Sequence, residues 1–210
     1  MSAIGKTLVN SEESRVQEDV KPSLRTHIRQ ARRGMTDAEL SGASSAIRDV
    51  LLSLPELEMA SSIAAYVSRG NEPGTRSLLF ALWKRGSYVL LPRLLPDCDL
   101  DWASYEGPDS LTESPRGLLE PTEPSRGVEA IRAADVVLVP ALAVDRRGYR
   151  LGQGGGSYDR ALARVGPAIL TIGVVYDDEF VPELPAEPHD LPVRAVVTPS
   201  GFHRLPAAGS

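Results

Sequence analysis

Asp135-Val136-Val137-Leu138-Val139-Pro140 and, a few residues on, Asp145-Arg146-Arg147-Gly148-Tyr149-Arg150-Leu151-Gly152-Gln153-Gly154-Gly155-Gly156-Ser157-Tyr158-Asp159-Arg160 decide the fold class of this chain. The first run is short, continuously apolar and closed by proline, which reads as a buried strand. The second places five glycines within nine residues, flanked by arginines. Glycine allows positive φ and close backbone approach, so successive free N–H groups can cradle an anion. Ser157 to Arg164 then reads as a helix with Ser157 as its N-cap. Strand, glycine loop and helix N-terminus together favour negative charge, and phosphate is the natural candidate. A Walker loop would need a lysine that is absent here. G-x-G-x-x-G fails at Ser157, and G-x-S-x-G fails at Asp159.

Outward from this stretch the pattern repeats. Ser61 to Val67 and Tyr88 to Leu91 read as strands on either side of a helix that carries Leu78, Leu79, Leu82 and Trp83 on one face, with Thr75 at its start and Gly86 at its stop. Thr36 followed by Glu39 is a capping box that opens a scaffold helix. Ala168 to Val175 and Val193 to Thr198 supply two further strands. Alternation of this kind predicts a single α/β domain with a largely parallel sheet flanked by helices. Ligands in such sheets gather at the carboxyl ends of strands, which singles out Glu72, Arg93 and the glycine loop. Glu72 read alone is equally an ordinary loop carboxylate. The proline-rich, acidic stretch from Leu94 to Arg126 predicts a hairpin near Leu100 to Tyr105.

The chain has 210 residues, 42% hydrophobic and 24% charged, enough for one substantial core. Residues 1–20 read as a flexible polar leader, 21–200 as the domain and 201–210 as a short tail. A net charge of −5 argues against a general nucleic-acid binder, so any anion site must be local. Cys98 is the single cysteine, which fits a reducing interior. No apolar run reaches bilayer length and the start lacks a secretory h-region, so the sequence predicts a cytoplasmic protein without a membrane partner. Lys21, Arg25 and Arg29 fall at i, i+4 and i+8 on one helical face, with no acid between Lys21 and Arg33. Such a stripe is a solvated basic face or a phosphate-facing one. His189-Asp190 reads as a catalytic pair, a metal site or a plain loop pair. With no second histidine nearby, a zinc ligand set is missing.

The pattern D-x-x-G-x-R-L-G-x-G-x-G-x-Y-D-R-x-L from Asp145 to Leu162 resembles the signature of the 5-formyltetrahydrofolate cyclo-ligase family, and Lys21, Leu24 and Arg25 resemble its K-x-x-L-R start. Leu118-Leu119-Glu120-Pro121 resembles a further stretch of it. The resemblance spans roughly Lys21 to Thr198 and implies the family's α/β fold, related to sugar-phosphate isomerase-like folds. It also implies ATP- and Mg2+-dependent closure of 5-formyltetrahydrofolate to 5,10-methenyltetrahydrofolate by a monomer. On it, Lys21, Arg25 and Arg150, with Gly152, Gln153, Gly154, Gly155, Gly156, Ser157, Tyr158 and Asp159, would bind nucleotide. Glu72 and Tyr158 would contact the reduced folate, and Asp159 and Asp190 would hold magnesium. No protein nucleophile is implied. Val144, Gln153 and Ser157 depart from the pattern at positions where aromatic or basic residues are usual, which keeps two other readings in view. One is a non-catalytic nucleotide- or folate-binding paralogue, and the other is a different phosphate-handling enzyme on the same scaffold.

Overall fold

A computed structural model describes residues 20–206. Of the leader assigned to residues 1–20, only Val20 lies inside that range. The first helix, α1, covers 20–33 among the described residues. The helices that follow are α2 (Asp37–Leu52), α3 (Pro55–Met59), α4 (Arg76–Lys84) and α5 (Ser157–Leu162). The strands are β1 (Ser62–Ala64), β2 (Tyr88–Leu94), β3 (Leu100–Ser104), β4 (Leu111–Glu113), β5 (Leu119–Pro121), β6 (Val136–Pro140), β7 (Ala143–Asp145), β8 (Arg150–Leu151), β9 (Leu170–Val174), β10 (Phe180–Val181), β11 (Ala195–Thr198) and β12 (Gly201–Arg204).

Seven strands form the main sheet in the order β12-β11-β9-β6-β1-β2-β3. The five central strands run parallel, and β3 and β12 add antiparallel edges. Hence the largely parallel sheet flanked by helices is present. Both faces of the central strands are buried, so they read as continuous apolar runs rather than alternating ones. Period two still sorts the two cores. Ile63, Val89, Val136, Leu138, Ile172 and Val197 meet α2, α3 and α4 through Ile47, Leu51, Leu57, Leu78 and Leu82. Ala64, Leu90, Val137, Val139 and Val196 face the other way, onto Ala161, Leu162, Ile131 and the fully buried Trp102. No helix among the described residues is long and apolar enough to cross a membrane.

The boundaries move where side chains serve other partners. Strand β1 is shorter than Ser61 to Val67: its ladder partners end at Ala64, and the chain runs on outside the ladder to the turn at Gly70 and Asn71. Thr75 stands at the N-cap position of α4, but its hydroxyl donates to Tyr66 O (2.7 Å) and accepts from Ser68 N (2.9 Å), so it ties the β1–α4 loop instead of capping the helix. Thr36 and Glu39 do form the capping box. Residues 201–204, assigned to the tail, pair with β11 as the edge strand. The hairpin expected near Leu100 to Tyr105 is present, with β3 antiparallel to β2. Arg93 donates to the carbonyls of Pro121 and Glu123, so it holds the β4–β5 hairpin in place instead of standing in a ligand site.

The small sheet β10-β7-β8 carries the glycine loop. Asp145 is wholly buried, and its carboxylate accepts from the amides of Arg147, Tyr149 and Leu184 and from the Arg147 guanidinium. These bonds form the β7–β8 turn and fix where β8 delivers Arg150. Gly148 makes that turn possible: its φ is +91°, and an added Cβ would lie 2.3 Å from Val193 O. Gly127 is a control, with φ +87° and no atom within 4 Å of the same position. Gly148→Ala should therefore lower unfolding free energy by at least about 3 kcal/mol and Gly127→Ala by only about 1–2 kcal/mol, read from urea midpoints at equal m.

Candidate active site

Helix α1, the glycine loop and the loop after β1 enclose a cavity of about 880 Å³ at the carboxyl ends of β1, β2 and β6. Lys21, Arg25, Glu72, Arg150, Gly152, Gln153, Gly154, Gly155, Gly156, Ser157, Tyr158, Asp159 and Asp190 all line it. Residues scattered from 21 to 190 in sequence thus face one space. Its composition is divided: a cationic wall from α1 and the glycine loop, a carboxylate and phenols near Glu72, and an apolar side from Pro92, Leu94, Leu100 and Leu118.

In the glycine loop, arginines occupy the carbonyls and leave the amides. Arg25 Nε donates to Gly152 O (2.9 Å) and Arg160 Nη2 to Gly155 O (2.9 Å). Among the described residues, the N–H groups of Gln153 to Gly156 make no backbone hydrogen bond. Gly154 and Gly156 have φ of +107° and +67°. The N-cap of α5 is Gly156, not Ser157, and Ser157 is the first helical residue with no capping bond. The helix also ends at Leu162, so free amides supply more of the local positive potential than a macrodipole does. Arg29 adds a bond to the Gln153 side-chain oxygen.

The titratable groups beside the loop are paired. Arg150 Nη2 lies 2.5 Å from Asp159 Oδ1, while its Nε is buried without a partner among the described residues. Burial pushes the Arg150 guanidinium down from its ordinary value, and the charges of Asp159 and Asp190 oppose that shift. Lys21 Nζ reaches Asp190 (2.8 Å) and Glu187 (2.7 Å). Burial works against the Lys21 charge, but these carboxylates outweigh it and raise its pKa. Burial likewise opposes the Asp190 charge, and the Lys21 hydrogen bond prevails and lowers its pKa. His189 is exposed, 3.6 Å from Glu187 and 3.8 Å from Asp190, at the rim of the Lys21 pairing. Among the described residues no three His, Cys, Asp or Glu side chains converge as a metal cage. Two carboxylates beside a phosphate-sized cradle suit a cation that keeps several waters, as magnesium does.

The opposite end rests on Arg32, which the sequence reading did not select. Leu24, Ile28 and Arg32 fall at i, i+4 and i+8, and Leu24 and Ile28 join an apolar cluster. An arginine on that inward face was the available signal. It makes a two-pronged pair with Glu179 (2.7 and 2.8 Å), donates to Ala141 O and lies 5.4 Å from the Tyr176 ring centre. Asn71 Nδ2 donates to Arg32 O, and Tyr176 Oη donates to Asn71 O. This network sets the loop that presents Glu72, whose carboxylate accepts from Arg69 N (2.9 Å). Burial raises the Glu72 pKa, against the Arg69 bond and the Arg32 charge. The hydroxyls of Tyr66 and Tyr158 are buried near it without partners among the described residues. Tyr66 was read only as the end of a strand, since a hydroxyl that finds no partner leaves no mark in sequence.

Removing one member of a buried ion pair leaves the other charge stranded. Glu179→Ala should cost about 3–5 kcal/mol, and Arg32→Met in the same chain should recover part of that loss by chemical denaturation. Glu72 behaves oppositely. Its raised folded pKa means that it contributes most below the ordinary glutamate value of 4.5 and loses that contribution as pH rises through the folded value. Glu72→Gln should therefore melt above the wild type at neutral pH, and the gap should close as pH falls below 4.5.

Comparison with known proteins places the chain among relatives. Residues 17–199 match the 5-formyltetrahydrofolate cyclo-ligase family. A Mycolicibacterium smegmatis protein named 5-formyltetrahydrofolate cyclo-ligase is 43% identical over 184 residues, covering 85% of this chain and 93% of its own. An Escherichia coli protein of the same name is 34% identical over 176 residues, covering 82% and 97%. The solved structure of Aquifex aeolicus 5,10-methenyltetrahydrofolate synthetase superposes with a TM-score of 0.78 at 30% identity, covering 91% of this chain and 95% of that one. The chain belongs to the 5-formyltetrahydrofolate cyclo-ligase family.

Proposed function

We propose that this protein converts 5-formyltetrahydrofolate to 5,10-methenyltetrahydrofolate at the expense of ATP, acting as a cytoplasmic monomer with no nucleic-acid or membrane partner. The observation that carries the reading is the division of one cavity into a phosphate-type cradle and a carboxylate–phenol end, with only the cavity between them. Family membership supplies the substrate class, and the free amides and the unpartnered Arg150 Nε support the nucleotide part.

The chemical difficulty is that an N-formyl group is an amide, with a weakly electrophilic carbon and an oxygen that does not leave. In the proposed route the formyl oxygen attacks the γ-phosphorus and ADP departs. The carbon becomes iminium-like, N10 adds to it and loses its proton to solvent, and the former formyl oxygen leaves within inorganic phosphate. Lys21, Arg25, Arg150 and the Gly152 to Gly156 amides would hold the triphosphate by charge-assisted bonds. Asp159 and Asp190 would hold magnesium, which when bound neutralises phosphate charge. Glu72 would fix the pterin ring, and Tyr158 would pack against it. The substrate's own N10 is the nucleophile, so the protein contributes positioning and charge.

The test is near-ultraviolet absorbance of the purified protein with magnesium, ATP and 5-formyltetrahydrofolate. The methenyl product should accumulate only with ATP, and Asp159→Asn should slow it by about 100-fold without loss of fold by circular dichroism. Folate and nucleotide binding without any product would instead favour a non-catalytic paralogue.

A further inference from the structure

Tyr66 lies two residues beyond β1 and is 4% exposed, within the core cluster formed with α2 and α4. Its backbone is fixed as well, because Thr75 Oγ1 donates to Tyr66 O at 2.7 Å. The ring therefore has one place to be, and phenylalanine would fill it equally well. Yet the residue carries a hydroxyl that is buried without a partner among the described residues, in a side chain that lines the cavity. Folding does not reward such a group, since a buried hydroxyl normally finds a hydrogen bond. Burial pushes its pKa well above the ordinary tyrosine value, with the Glu72 charge adding to the shift, so the group stays a neutral donor.

Glu72 lines the same cavity as Tyr66. A carboxylate accepts where a neutral phenol donates. Facing one cavity, the two groups complement a ring edge that presents N–H donors next to a carbonyl oxygen. The 2-amino-4-oxopyrimidine ring of a reduced folate has that edge, with an amide N–H and an amino group beside the carbonyl. We propose that Tyr66 is a specificity-determining residue whose hydroxyl donates to the ring carbonyl of the reduced folate while Glu72 accepts from the adjoining N–H groups. This rests on the cyclo-ligase reading and adds a residue to it. Tyr158, whose hydroxyl is also buried without a partner among the described residues, lies beside Asp159 on α5 and lines the same cavity.

Tyr66→Phe is the test, measured by steady-state kinetics, by equilibrium binding of 5-formyltetrahydrofolate and of ATP separately, and by melting. Loss of one neutral hydrogen bond should weaken folate binding and lower kcat/KM for folate by about tenfold, with ATP affinity and KM within about twofold of wild type. Because the free protein keeps that hydroxyl unpaired, the melting temperature should stay level or rise. Equal folate affinity and kcat/KM in wild type and variant would overturn the assignment while leaving the cyclo-ligase reading intact. Parallel losses for both substrates with a lower melting temperature would show a structural hydroxyl and also overturn it. A wild-type protein that neither binds nor turns over 5-formyltetrahydrofolate would sink the cyclo-ligase reading, and the Tyr66 assignment with it.

Discussion

The site depends on one buried guanidinium. Arg32 reaches from α1 into the end of the sheet and there meets Glu179 beyond β9 and the Ala141 carbonyl beyond β6, while its own carbonyl holds Asn71 in the loop beyond β1. Three strand-end loops are thus referred to one helix. Both members of the Arg32–Glu179 pair are almost wholly buried, at 5% and 7% side-chain exposure, so each needs the other. Such a pair adds little net stability compared with an apolar replacement, but it admits one arrangement and penalises the rest. What it secures is register: with Arg32 seated, Arg25 and Arg29 on the adjoining face of α1 reach the glycine loop, Lys21 reaches Asp190, and Glu72 is held at the far end.

The charges at the cradle are balanced by their neighbours. Lys21 lies against Asp190 and Glu187, and Arg150 against Asp159. These pairs keep five side chains in place without leaving any of them as a lone buried charge, which would be costly. Under the proposed function the same groups would change partners together, cations turning to phosphate and carboxylates to the metal. A magnesium–nucleotide complex brings both kinds of partner at once, so neither set would be left unpaired. The bond from Glu187 N to Asp190 ties this exchange to the loop after β10.

Much of this was legible in sequence because the relevant signals are local. Continuous apolar runs marked the buried strands, the Thr36–Glu39 box marked the start of α2, and glycine crowding marked the loop. The basic stripe of α1 was legible as a face, and its spacing predicts which side chains point together. What sequence could not show was which partner each polar group takes. Thr75 has the composition of a cap and serves a loop, and Arg93 stands at a strand end but braces a hairpin. Arg32 carries a charge on an apolar face, and its reason lies at Glu179, 147 residues away. Long-range pairing of this kind has no periodicity to betray it.

The three departures from the family pattern differ in weight once they are placed. Val144 is fully buried in β7 and is not among the residues that line the cavity. A Cβ added at Gly173 would come within 2.9 Å of its side chain, so Val144 and the glycine of β9 fit each other, and a larger residue at 144 would need room that β9 does not leave. Val144 in place of the usual aromatic is therefore a matter of core packing in this chain and leaves the cavity wall unchanged. Ser157 and Gln153 do line the cavity. Gln153 accepts from Arg29, and its side chain holds the Glu72 pKa down against burial, so a neutral side chain stands between the two ends of the site where a basic one is common. A cation there would offer phosphate one more contact but would also draw Glu72 into an ion pair, away from the ring contact proposed for it. With Arg25, Arg29 and Lys21 already supplying positive charge, a neutral bridge at 153 leaves the cradle cationic and Glu72 available.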